Sequence, residues 1–103
     1  MFKIIDGRAT GKTTQLVCLA KEFNYTIVSN NPKYVYSICN KLGIQGIEII
    51  SYRNFLDNYK DKNKKYLIDD CSGFLRAVNS NIIGYSDSKE YFINEKLAYI
   101  REE

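Results

Sequence analysis

Asp6-Gly7-Arg8-Ala9-Thr10-Gly11-Lys12-Thr13-Thr14 sets glycines, a lysine and adjacent hydroxyls between the apolar run Phe2-Lys3-Ile4-Ile5 and a helical pattern. A turn of this kind can point backbone N–H groups at phosphate oxygens, bring an ammonium to the terminal phosphates and offer a hydroxyl to a magnesium ion. Gly11, Lys12 and Thr13 supply these in order. The pattern G-x-x-x-x-G-K-[ST] would put its first glycine at Asp6, and Gly7 comes one residue late. A carboxylate next to phosphate is unfavourable, so Asp6 is expected to point outward or cap the turn, with Gly7 taking the special backbone geometry.

Tyr66-Leu67-Ile68-Asp69-Asp70 is a short apolar run ending in two acids, the pattern of a buried parallel strand with carboxylates at its C-terminal edge. Each motif has a plain structural reading: a simple strand-turn-helix connection for the first, and Asp70 capping the next helix for the second. Their combination, separated by further strand-helix units, is the arrangement that puts Thr13 and Asp69 on one magnesium ion.

The elements that must position these residues follow from periodicity. Leu16, Leu19, Ala20 and Phe23 form a helical stripe directly after the loop. Tyr25-Thr26-Ile27-Val28 reads as a strand, and Ser29-Asn30-Asn31-Pro32 supplies a capping residue followed by proline at a favoured first helical position. A helix from Pro32 buries Val35, Ile38, Cys39 and Leu42 and stops at Gly43. Ile47 to Tyr52 reads as a third strand, and Arg53 to Tyr59 as a short helix. Residues 72 to 78 are expected to be helical, 81 to 86 a fifth strand, and 87 to 103 a terminal helix with Ile93, Leu97 and Ile100 on one side. Strands alternating with helices predict one α/β domain over residues 1 to 103, a three-layer α/β/α sandwich around a mainly parallel five-stranded sheet. Ligands of such sheets bind at the carboxyl ends of the strands, where both motifs would lie.

Composition narrows the chemistry. With 103 residues and 45% hydrophobic content the chain suits one compact core and leaves no room for a second catalytic domain. The absence of histidine excludes imidazole catalysis and ligation, so any base must be a carboxylate. Cys18, Cys39 and Cys71 lack C-x-x-C spacing, which suggests a reduced, cytoplasmic protein; Cys18 and Cys39 are expected in the core. No signal-peptide or membrane-span pattern is present, so no membrane partner is expected. A net charge of +3 argues only weakly for nucleic acid, and the run Lys60 to Lys65 reads as a solvated loop. The nine tyrosines are spread in a way that suits half-buried packing more than base stacking.

On residues 6 to 14 as Walker A and 66 to 70 as Walker B, the chain resembles the P-loop NTPases. Gly7-Arg8 before x-x-Gly-Lys-Thr is similar to the loop of phage terminase ATPases, and Ile49-Ile50-Ser51-Tyr52 is similar to a stretch of helicase-like relatives. The whole chain resembles small phage-encoded P-loop proteins described as ATP-binding, which would place it in the host cytoplasm. The thymidylate-kinase loop also shares Asp-Gly and Gly-Lys-Thr-Thr-Gln, but three residues here separate Gly7 from Gly11 where that family has one.

The resemblance implies that ATP and magnesium are bound by Gly7, Arg8, Ala9, Thr10, Gly11, Lys12, Thr13 and Thr14. Lys12 would neutralise the β- and γ-phosphates, Thr13 would ligate magnesium, and Asp69 would hold it through water. Asp70 would orient or deprotonate the attacking water, although relatives more often carry the longer Glu there. Arg8 would act as an arginine finger or remain a solvated loop arginine; Arg53 and Arg76 are candidate fingers in trans in a homo-oligomer, and Ser86 a sensor or coupling residue or simply the start of a turn. Two functions stay open. One is a magnesium-dependent ATPase, a terminase- or helicase-like module acting on DNA through partners or self-assembly, and the other a non-catalytic nucleotide-binding or interaction protein that engages another ATPase or a DNA-processing partner.

Overall fold

A computed structural model describes residues 2–4, 11–58, 61–84, 91–93 and 100–101. Six strands and four helices alternate through most of it: β1 (Phe2–Ile4), α1 (Lys12–Phe23), β2 (Thr26–Ser29), α2 (Pro32–Leu42), β3 (Ile49–Ser51), α3 (Tyr52–Asn58), β4 (Tyr66–Ile68), α4 (Cys71–Val78), β5 (Tyr91–Ile93) and β6 (Ile100–Arg101). The fold is α/β.

The five-stranded sheet expected from the sequence is not what forms. The described strands divide into an all-parallel sheet of order β3-β2-β4 and a second sheet of order β1-β5-β6, in which β5 runs parallel to β1 and antiparallel to β6. Two segments account for the difference. Residues 81–84 carry no strand: the Asn81 N–H bonds Asn79 Oδ1 at 2.9 Å and the Ile82 N–H bonds the Asn79 carbonyl at 3.0 Å, a turn that leaves Ile83 99% exposed. Tyr85 and Ser86 lie outside the described residues. Within the expected terminal helix, residues 91–93 and 100–101 are strands. Tyr91-Phe92-Ile93 is a run of β-favouring types, and three apolar residues at helical spacing are too few to outweigh it. The rest of 87–103 lies outside the described residues.

Strand alternation builds the core around β2, which is buried at all four positions as a strand covered on both faces must be. On one face Ile27, Ile49 and Leu67 meet Leu16, Val17 and Ala20 of α1 and Val35 and Cys39 of α2. On the other, Val28 and Ile50 pack with Tyr52 and Phe55 of α3 and Phe74 of α4. Fully burying such an aliphatic side chain contributes about 1.5–3 kcal/mol, so packing fixes where α1 and α2 sit. Helix ends follow local chemistry: Asn31 Oδ1 accepts the Tyr34 N–H at 3.3 Å with Pro32 beginning α2, and Gly43 ends it in the left-handed region. Three expectations fail locally. Cys18 is exposed, because Val17 takes the core position beside Leu16 and Ala20, and Phe23 and Leu42 are exposed on the last turns of α1 and α2. Cys39 is buried, and that burial pushes its thiol pKa up and keeps it protonated. Among the described residues no helix is long and apolar enough to cross a membrane.

Candidate functional site

The register of the parallel sheet sets the site. Thr26, Ile27 and Val28 of β2 pair with Tyr66, Leu67 and Ile68 of β4, and the Asp69 N–H bonds the Val28 carbonyl at 2.9 Å. One step beyond the paired residues, Ser29 and Asp69 come side by side at the carboxyl ends of their strands. Because side chains alternate between faces, Ser29 follows Ile27 and Asp69 follows Leu67 onto the face that α1 covers. Thr13, in the first turn of α1, completes the group from above.

Asp69 is the hub. Thr13 Oγ1 donates to its Oδ1 at 3.4 Å, across 56 residues of sequence, and Ser29 Oγ donates to its Oδ2 at 3.4 Å. Both contacts are longer than the roughly 2.5–3.0 Å usual between oxygens, so the carboxylate is flanked rather than tightly clamped. Burial raises the Asp69 pKa above its ordinary value; the hydroxyls of Ser29 and Thr13 oppose this, Asp70 adds to it, and the Lys12 ammonium opposes it. Ser29 is 2% exposed and its oxygen also accepts the Asn31 N–H at 3.1 Å.

Gly11 caps α1 with φ 83°, a left-handed conformation that side-chain-bearing residues adopt only with strain. That geometry turns the chain into the helix so that the first-turn amides of Thr13 and Thr14 have no intrahelical acceptor. Lys12 opens α1, half-buried, with Thr13 and Thr14 beside it. Gly7, Arg8, Ala9 and Thr10, and with them Asp6, lie outside the described residues.

Asp70 is somewhere else chemically. It sits at φ 60° and caps α4, its Oδ1 accepting the Gly73 N–H at 3.2 Å and the Ser72 hydroxyl at 3.1 Å. This is its plain structural reading. A Cβ at position 73 would collide with Asp70 Oδ2, so glycine there is what lets the carboxylate close over the helix end. The carbonyls of both acids are gathered by the Tyr52 hydroxyl, which donates to Asp69 and, at 3.0 Å, to Asp70. Burial, with the nearby acids adding, drives the Tyr52 pKa far upward, so the phenol remains a donor. Arg53 pairs with Asp57 at 3.7 Å on an exposed helix face, and Arg76 is exposed on α4.

The structure thus brings Thr13 and Asp69 together and separates Asp70 from them. Nothing in the two motifs gives Ser29 or Tyr52 a place beside the acids. Ser29 was legible in principle, since a small hydroxyl residue keeps step with Ile27 where the β-branched run ends. Among the described residues no three acidic or cysteine side chains converge. A cation here would therefore draw on Thr13 Oγ1 and Asp69 Oδ1, two hard oxygens. Their 3.4 Å separation is close to the roughly 3 Å between neighbouring oxygens around octahedral magnesium with bonds of about 2.1 Å, a spacing that suits direct ligation by both where the resemblance implies a water between Asp69 and the ion. No protein-family model matches the chain, and no curated protein or solved structure matches it significantly.

Proposed function

We propose that the chain is a P-loop protein that binds a magnesium–nucleoside triphosphate, ATP in the first instance, at the carboxyl end of β2 and β4. The observation that carries this reading is the approach of Thr13 Oγ1 to Asp69 Oδ1 at the N-terminus of a helix opened by Gly11 and Lys12. The helix start offers partial positive charge and amides for phosphate, and Lys12 adds a full charge. Thr13 and Asp69 would hold magnesium, which when bound neutralises phosphate charge. Arg8, Ala9 and Thr10 would complete the phosphate loop from its N-terminal side. The test is titration of a fluorescent ATP analogue with and without magnesium, for the intact protein and for Lys12→Ala. Magnesium-dependent binding that Lys12→Ala abolishes is expected; no binding by the intact protein at millimolar nucleotide rejects the reading.

Turnover is a separate matter, and the position of Asp70 favours a second reading in which nucleotide is bound without efficient hydrolysis. An acid committed to the α4 cap must leave it to activate water, and aspartate is one methylene shorter than glutamate. On this reading the chain is a nucleotide-binding interaction protein whose partner is another ATPase or a DNA-processing protein. ATPase measured with and without DNA, for the intact protein and Asp70→Asn, separates the two: a rate that falls sharply in the variant returns Asp70 to catalysis.

A further inference from the structure

We propose that Ser29 is a specificity-determining positioning residue: by donating to Asp69 Oδ2 it leaves one carboxylate oxygen for the cation and so favours magnesium over calcium. The inference rests on the magnesium–nucleotide reading above.

The direction of the Ser29 hydroxyl proton follows from its partners. Its oxygen accepts the Asn31 N–H at 3.1 Å, while the proton goes to Asp69 Oδ2 at 3.4 Å. Oδ1, on the other arm, faces Thr13. The carboxylate is thus divided between a strand neighbour and the helix start, and a cation beside Thr13 meets a single oxygen. That suits magnesium, which takes one oxygen from a carboxylate and keeps several waters in a strict octahedron. Calcium takes six to eight oxygens at 2.3–2.6 Å and often grips both oxygens of a carboxylate, which here requires Oδ2 to abandon Ser29. Burial sharpens the contrast, because at 2% exposure of Ser29 solvent is poorly placed to replace its hydroxyl on Oδ2.

The experiment measures affinity for a fluorescent ATP analogue in magnesium, in calcium and in EDTA, for the intact protein, Ser29→Ala and Ser29→Cys. Cysteine leaves no cavity, its thiol being slightly larger than the hydroxyl, but is a weak donor, so a packing defect and a lost hydrogen bond give different results. The magnesium-over-calcium preference is expected to narrow about fivefold in both variants, the effect of losing one hydrogen bond. Affinity in EDTA is expected to stay unchanged. An unchanged preference in both variants, with magnesium still promoting binding, overturns the role of Ser29 and leaves the nucleotide reading standing. A preference lost in Ser29→Ala but retained in Ser29→Cys overturns it in favour of packing. Cation-independent binding by the intact protein overturns both.

Discussion

Asp69 and Asp70 are consecutive, yet their carboxylates have separate partners: Asp69 meets Thr13 under α1, while Asp70 closes the N-terminus of α4. The two acids therefore separate under mutation. Asp70→Ala removes the cap and places alanine at φ 60°, and is expected to cost about 1–2 kcal/mol in urea unfolding. Asp70→Asn caps nearly as well and tolerates the left-handed backbone, so it is expected to remain within a few tenths of a kcal/mol of the intact protein. Equal losses in the two variants would show that the cap contributes nothing.

Gly73 and Asp70 are coupled by space. Alanine normally improves on glycine inside a helix by about 0.5–1 kcal/mol, but a Cβ at 73 collides with Asp70 Oδ2 and displaces the cap. Gly73→Ala is expected to show none of that gain alone and to recover it in an Asp70→Ala background. A double-mutant cycle in urea reads the coupling, and strict additivity would mean that the carboxylate swings aside at no cost.

The parts of the molecule legible in its sequence are those governed by neighbours along the chain. Pro32 and Gly43 mark α2 because a missing N–H and a left-handed stop are local properties, and the run from Tyr66 shows β4 by apolar content alone. Motif spacing pairs Thr13 with Asp69 but carries nothing of the register that brings Ser29 to them. Asp69 and Asp70 read as one constellation until strand alternation and the start of α4 separate them. Strand pairing was the least legible feature, since the partnership of Phe2–Ile4 with Tyr91–Ile93 joins segments nearly a chain length apart.

Tyr52 ties α3 to the turn between β4 and α4. Its hydroxyl donates to the carbonyls of Asp69 and Asp70, and its ring meets Phe74 edge-on at 5.3 Å. Tyr52→Phe keeps the ring contact and takes the donor from the Asp69 carbonyl in a part-buried setting, while the Asp70 carbonyl keeps the Phe74 N–H at 2.9 Å. A loss of about 1–3 kcal/mol, seen as a lower urea midpoint at unchanged slope, is expected. An unchanged midpoint would show that solvent replaces the phenol.

Asp69 itself sets the sign of a pH effect on stability. Burial raises its pKa in the folded protein above the ordinary value of 3.8, so the folded state holds that proton more tightly than the unfolded chain does. Stability is then unpenalised below the unfolded value and declines as pH rises through the unfolded and folded values, because the part-buried carboxylate must ionise. Asp69→Asn removes the ionisation while its amide can still accept from one hydroxyl and donate to the other. The variant is expected to melt higher than the intact protein at neutral pH, with the advantage shrinking as pH falls toward 3.8, and to lose magnesium-dependent nucleotide binding. Melting curves across acidic and neutral buffers check this. A neutral-pH melting point below that of the intact protein would mean that Thr13, Ser29 and Lys12 together outweigh the burial of the charge, and that the ionised carboxylate stabilises the fold it was expected to burden.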